Sequence, residues 1–258
     1  LRAAVHAVAG EPDRPLGGHV KSDKGMDEPV DPYLPQNGNR GYRVSRYELD
    51  LTYKVHSNRL TGKATITAVT TAVRSRFALD LAAGMHVTKV AANGSRNTKW
   101  LHRNGKLIIT PAQKIPPGGA LVLTIQYGGS PKPIRSMWGE VGWEELSEGA
   151  LVASQPNGAA SWFPCDDHPS SKASYRIAIT TDSPYYTVAN GALVSKQTRA
   201  SQTTWVYEQT EPMPSYLATI QIGPYERRRF GSGGVPMFAV HPPRLRASFD
   251  VDFGRQPR

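Results

Sequence analysis

Apolar and polar residues alternate with a period of two along most of the chain. Tyr47, Leu49, Leu51, Tyr53 and Val55 alternate with polar or charged neighbours, and Leu60, Ala64, Ile66 and Ala68 resume the alternation after Ser57-Asn58. Such spacing puts one face of a strand in the core and the other in water, and the pair reads as an antiparallel hairpin. Phe77 to Leu81, Met85 to Ala91, and Leu121, Leu123, Ile125 and Tyr127 continue the pattern. So do Tyr175, Ile177 and Ile179, then Thr187 and Ala189, Trp205 to Tyr207, Tyr216 to Ile222 and Val235 to Val240. Asn93-Gly94 and Asn104-Gly105 are dipeptides suited to positive φ in tight turns, and Trp100 to Thr110 reads as two strands around the second of them. Residues 128–137 read as a loop.

Nowhere do apolar residues recur at i, i+3, i+4 and i+7 over three turns with cap signals, so helices are expected to be few and short. Gly142 to Leu146 is the one helical candidate. About a dozen strands at spacings of roughly ten residues predict an all-β fold, an antiparallel multi-sheet sandwich. Residues 1–41 carry Gly, Pro, Asp and Lys without a period and read as an extended or disordered arm, with the β domain over residues 42–240. Met26 reads as a candidate start, and the small-residue run Ala7 to Gly10 is a poor signal-peptide end.

Composition fits this reading. Glycine (24) and proline (21) are scattered between short apolar runs, as turns between strands require. No apolar run approaches the roughly 20 residues of a membrane-spanning helix, so no membrane span is expected. The formal charge of +10 invites an anionic partner, yet the basic residues are dispersed. The one dense run, Arg227-Arg228-Arg229, has no interleaved aromatics, so no nucleic-acid partner is expected. The single cysteine, Cys165, cannot form an intrachain disulfide. The expected compartment is therefore reducing and cytoplasmic, with secretion left open.

The chemistry-bearing residues crowd into Gln155 to Pro169, QPNGAASWFPCDDHP. Trp162 and Phe163 ask for burial, and Pro164 and Pro169 bracket a polar knuckle that no helix or strand accommodates. Cys165-Asp166-Asp167-His168 has the lettering of a metal cluster, but adjacent residues seldom converge on one ion. The expected role is a structural turn in which a carboxylate accepts backbone N–H groups. Cys165 is expected to be a small buried hydrophobe, without a base in reach to activate it. None of the seven histidines is followed by glutamate and no two lie four apart, so the helical H-E-x-x-H zinc site is absent. Gly231 to Gly234 lacks the residues of a phosphate cradle and reads as a turn.

The segment resembles the W-F-P-C-x-D-E-P region of the zinc aminopeptidases related to aminopeptidase N. Here the stretch before Trp162 is two residues shorter, an arginine is missing, and His168 replaces the second acid. Lys172 to Ile179 resembles the family's K-A-x-F-x-I-x-I strand, and Thr187 to Gly191 its A-L-S-N-G turn. Pro212 to Leu217 with Ile222 to Glu226 resembles M-S-x-Y-L…G-x-F/Y-E. Tyr47 to Leu51 and Leu79 to Leu81 fit in the same order, so the resemblance covers residues 42–240.

The resemblance implies the saddle-like amino-terminal domain of such an enzyme, which closes one side of the active-site cleft and is not itself catalytic. It implies a zinc-bearing catalytic domain as partner, with zinc there and no cofactor in this chain, and with residues 241–258 as the linker towards it. The chain accordingly reads as a fragment of a longer reading frame. It implies that Gln155 and Asn157 face the amino terminus of a peptide substrate. The family usually has glutamate at the second position, and Asn157 brings no charge for an ammonium group. A free-standing β-sandwich module binding protein or carbohydrate is the alternative, with Trp138 and Trp143 as its candidate platform.

Overall fold

The computed structural model describes residues 31–230 and 237–253. The strands, in chain order, are Tyr42–Lys54 (β1), Arg59–Thr70 (β2), Phe77–Asp80 (β3), Met85–Ala92 (β4), Lys99–Arg103 (β5), Lys106–Thr110 (β6), Ala120–Gly129 (β7), Ile134–Ser136 (β8) and Gly139–Leu146 (β9). They continue with Gly149–Ala153 (β10), Lys172–Asp182 (β11), Tyr186–Ala189 (β12), Ala192–Arg199 (β13), Gln202–Pro214 (β14), Ile220–Gly223 (β15), Glu226–Phe230 (β16) and Met237–His241 (β17). One α-helix, Arg246–Phe253 (α1), and short 3-10 turns complete the described residues. The fold is all-β with several sheets and few helices.

A seven-stranded sheet runs in the order β13-β14-β11-β1-β2-β7-β4. A five-stranded sheet, β12-β15-β10-β9-β8, and a three-stranded sheet, β3-β6-β5, accompany it, and β16 and β17 pair apart. All pairings are antiparallel except that of β1 with β11, which is parallel and puts Tyr47 opposite Tyr175. Residues far apart in the chain make that pair, so alternation within either strand carries no trace of its direction.

The inward faces follow the sequence period. Tyr47, Leu49, Leu51 and Tyr53 of β1 are each at most 3% exposed, and Tyr175, Ile177 and Ile179 of β11 at most 1%. Aromatic rings join the layers. Tyr47 stacks on Tyr175 at 5.1 Å and meets Phe163 edge-on at 5.5 Å, while Tyr53 meets Trp143 of β9 at 4.9 Å. Trp143 in turn lies 6.3 Å from Trp162.

The Asn-Gly turns behave as expected. Asn93 and Gly94 take φ of 49° and 76°, and Asn104 and Gly105 take 52° and 73°, the latter linking β5 and β6 by two residues. Asn190-Gly191 instead carries the chain from β12 in one sheet to β13 in another. Three regions depart from the sequence reading, the first being Tyr216 to Ile222, where Ser215–Leu217 is a 3-10 turn and the strand is confined to Ile220–Gly223. Gly142 to Leu146 lies in strand β9 and not in a helix, because these residues pair in register with Gly149–Ala153 of β10, from Gly142 opposite Ala153 to Leu146 opposite Gly149. Within residues 128–137, Ile134–Ser136 forms β8.

Residues 31–41 lie in turns against the β domain, with Leu34 buried. The candidate start at Met26 and the runs Ala7 to Gly10 and Gly231 to Gly234 lie outside the described residues. Beyond His241 the chain forms α1, none of whose residues is buried. The basic run of β16 is engaged internally: Arg227 lies 3.6 Å over the Phe238 ring, and Arg228 pairs with Asp250 at 2.7 Å. No described helix is long and apolar enough to cross a membrane.

Candidate functional site

The knuckle is built around three buried carboxylates, none more than 4% exposed: Asp80 from the end of β3, and Asp166 and Asp167. Asp80 exchanges backbone hydrogen bonds with Cys165, which fixes the knuckle to β3. Asp80 Oδ2 accepts the N–H of Gly38 at 3.0 Å, the N–H of Asp167 at 3.0 Å and Asn39 Nδ2 at 3.1 Å. Its Oδ1 receives the Lys106 ammonium, which also donates to Gly38 O and Asn39 Oδ1. The three protons of Lys106 are thereby used.

Asp167 holds the other side of the loop. Its Oδ2 accepts Gly158 N at 2.9 Å and Ala160 N at 3.3 Å, and its Oδ1 accepts the Ser215 hydroxyl at 3.1 Å. Asp166 accepts Asn39 N at 2.8 Å and the Ser171 hydroxyl at 2.6 Å. This is the carboxylate-to-backbone turn expected from the sequence. Cys165 is fully buried in the core, and burial, followed by the charge of Asp167, pushes its thiol well above the ordinary range. It is therefore inert as a nucleophile. His168 Nδ1 bonds the Ser170 hydroxyl at 2.7 Å.

Burial is also the largest influence on Asp166 and Asp167, raising each from 3.8 to about 6, with the Asp80 charge adding to it. The folded state thus holds protons that the unfolded chain has released between those values. Stability from these two groups is fully present below pH 3.8 and is lost as pH rises through about 6. Urea midpoints should therefore rise between pH 7 and pH 5, and Asp167→Asn should flatten that rise; a midpoint that falls over the interval in the parent chain would contradict the assignment.

A zinc ion implied by the family resemblance finds no fitting donors here. The carboxylates of Asp166 and Asp167 point to different backbone donors, Cys165 faces the core, and His168 turns to Ser170. Among the described residues no group of three or more His, Cys, Asp or Glu side chains is arranged to hold a metal.

Gln155 and Asn157 leave β10 on the segment that Asp167 clamps, with a cis peptide between Gln155 and Pro156. Gln155 is exposed, and its amide makes no hydrogen bond to a described residue. Asn157 is 5% exposed, because residues 35–39 pack over it and its Nδ2 donates to Asn37 Oδ1 at 3.0 Å. Its Oδ1 has no donor. A groove of about 670 Å³ runs past Asn157, lined also by Asn37, Lys106 and Arg135. Gln155 is not among the residues that line it. Of the candidate aromatic platform, Trp143 is a core residue at 0% exposure, and only Trp138 stands out, at 53%.

Asp80, Lys106 and Asn37 to Asn39 were not legible as parts of this site. The available signal was an aspartate between two leucines in a strand, Leu79-Asp80-Leu81, where an unpaired charge is unaffordable.

Three comparisons bear on what this arrangement belongs to. The family model described as the Peptidase M1 N-terminal domain matches residues 44–217. A crystal structure of an M1 zinc metallopeptidase from Deinococcus radiodurans superposes with a TM-score of 0.74 and 28% identity, covering 81% of this chain and 49% of that one. A mutant of the same enzyme bound to a Tyr-Ser-Ala substrate superposes with a TM-score of 0.77 and 28% identity, covering 86% and 52%. Among curated proteins, Tricorn protease-interacting factor F2 of Thermoplasma acidophilum is 26% identical over 112 residues, 42% of this chain and 14% of the relative. Leucyl aminopeptidase of Saccharolobus solfataricus is 25% identical over 95 residues, 36% of this chain and 12% of the relative. The chain thus matches about half the length of the solved structures and a smaller share of these curated proteins.

Proposed function

The chain belongs to the M1 peptidase family as its amino-terminal domain, and from that premise we propose that it is a non-catalytic domain that docks a zinc-bearing catalytic domain and shapes the pocket for a substrate's amino terminus. The observation that carries this reading is the rigid loop from Gln155 to Ala160. Its backbone is clamped by Asp167, while Gln155 stands exposed with an unengaged amide. A preorganised loop offering a free hydrogen-bonding group suits recognition, since little ordering remains to be done on binding. The described donor set does not suit metal chemistry. Zinc in this reading belongs to the catalytic domain, where it would supply activated water for peptide hydrolysis; this chain orients the substrate.

Joining this chain to the catalytic half of a two-domain M1 peptidase tests the reading. A hydrogen bond to a charged group contributes about 1.5 kcal/mol or more. Gln155→Ala should therefore raise KM for a leucyl reporter by about tenfold, with kcat little changed. An unaltered KM would remove Gln155 from the pocket.

A further inference from the structure

In an Asn-Gly dipeptide the backbone nitrogen of the glycine can attack the side-chain amide before it, because glycine has no side chain to obstruct the ring that forms. The chain contains five such pairs: Asn37-Gly38, Asn93-Gly94, Asn104-Gly105, Asn157-Gly158 and Asn190-Gly191. Four of them are blocked by hydrogen bonds. In two, the attacking nitrogen is held by a buried carboxylate: Gly38 N donates to Asp80 Oδ2 at 3.0 Å, and Gly158 N to Asp167 Oδ2 at 2.9 Å. In two others, both ends of the side-chain amide are pinned. Asn93 Nδ2 donates to Ala120 O at 2.9 Å while its Oδ1 accepts Val122 N at 2.7 Å. Asn190 Nδ2 donates to Leu217 O at 2.9 Å while its Oδ1 accepts Thr219 N at 2.7 Å.

Asn104 differs from all four. Its side chain is exposed and makes no hydrogen bond to a described residue, and Gly105 N meets no side-chain acceptor there. A Cβ built on Gly105 would find nothing within 4 Å, so the tip stands open to water. The two-residue turn that joins β5 to β6 holds the pair in one conformation, and the ring closes when that turn opens. Opening takes little free energy here. β5 is the edge of the three-stranded sheet and four of its five residues are exposed, so the hairpin frays without unfolding the domain.

We propose that Asn104 is a modification site at which the chain deamidates spontaneously, making this turn acidic. Gly105 N bonds to the Asn104 side-chain carbonyl carbon, the bond to Nδ2 breaks, and ammonia leaves with the backbone amide proton. Water then opens the five-membered imide at either carbonyl. One opening gives aspartate; the other gives isoaspartate, whose main chain runs through the side chain and is one carbon longer. Aspartate sets a new carboxylate in the groove that residue 104 lines together with Lys106 and Asp80, and isoaspartate lengthens a loop built for two residues. Both products act next to Lys106, whose ammonium holds Gly38, Asn39 and Asp80.

The test incubates the whole chain in mildly alkaline buffer, with and without urea, and maps the mass gain at each Asn-Gly pair by peptide mass spectrometry. In native buffer Asn104 is expected to convert at least about tenfold faster than the other four, because fraying an edge hairpin and opening a buried network differ by more free energy than that factor requires. In urea the five should convert at comparable rates, since unfolding removes every one of those hydrogen bonds. Native conversion of any other pair at an equal or greater rate would overturn the assignment to Asn104. No native conversion at Asn104 while the urea sample reacts would overturn it as well, since the turn would then stay closed. A lead for Asn104 that persists undiminished in urea would overturn hydrogen bonding as its cause.

Discussion

Asp80→Ala is expected to lower the free energy of unfolding by about 3–5 kcal/mol, the range for removing one partner from a buried, hydrogen-bonded ion pair. The loss has two sources of unequal size. Lys106 is 28% exposed at its side chain and can turn part of its charge to water, so the stranded cation is the smaller one. The larger is the set of donors left behind: Gly38 N and Asp167 N sit in buried positions and lose their acceptor, each at a cost of about 1–3 kcal/mol. Lys106→Met should accordingly cost less than Asp80→Ala. The variant should also speed hydrogen exchange at Gly38 and Asp167, and bring the raised carboxyl groups of Asp166 and Asp167 back down, because the Asp80 charge helps to raise them. Urea unfolding followed by tryptophan fluorescence gives the magnitude, and a loss under about 1 kcal/mol would show that residues 37–39 are not held by this carboxylate.

Trp162→Ala is the second large effect, at about 3–5 kcal/mol. Trp162 is fully buried, 4.4 Å from Phe163 and 6.3 Å from Trp143, and so contacts both the knuckle and β9. Neither neighbour is positioned to collapse into the space. Phe163 is fixed by Tyr47 and Tyr175, and Trp143 by Tyr53. The residual cavity should therefore remain open and the cost stay near the upper part of the range. Trp162→Phe, which refills most of the volume, should recover more than half. Equal losses for the two substitutions would mean that packing is not what Trp162 contributes.

These two effects locate the division between what the sequence revealed and what it hid. Alternation exposed the strands because one face of each sheet is dry, and the Asn-Gly dipeptides marked turns because only a few residues tolerate positive φ. Trp162 and Phe163 announced a buried anchor, and the flanking prolines a turn. Cys165 to His168 read as structural from the crowding of adjacent residues, and the hydrogen bonds of Asp166 and Asp167 bear that out. What stayed hidden was pairing over distance. The parallel contact of β1 with β11 joins residues more than a hundred positions apart, and nothing local records it. Asp80, Lys106 and Asn39 meet across three segments, each unremarkable alone. Gly142 to Leu146 looked helical because a short apolar and acidic run carries no reliable period; its conformation is set by β8 and β10 on either side.

The site divides in the same way. Residues Trp162 to Pro169 hold the sheets together and place the loop before them, and their ionisable groups are spent on backbone donors. Gln155 and Asn157 have side-chain atoms without hydrogen-bond partners among the described residues. On the proposed reading, this domain shapes a pocket and leaves bond cleavage to a partner domain.

Zinc content and turnover measured together test that claim most directly. The purified chain is incubated with zinc, dialysed, and assayed with a leucyl reporter, alone and joined to the catalytic half of a two-domain M1 peptidase. The account predicts no retained zinc and no turnover for the chain alone, and turnover in the joined form that weakens through KM on Gln155→Ala. One zinc per chain with hydrolysis by the chain alone would contradict it.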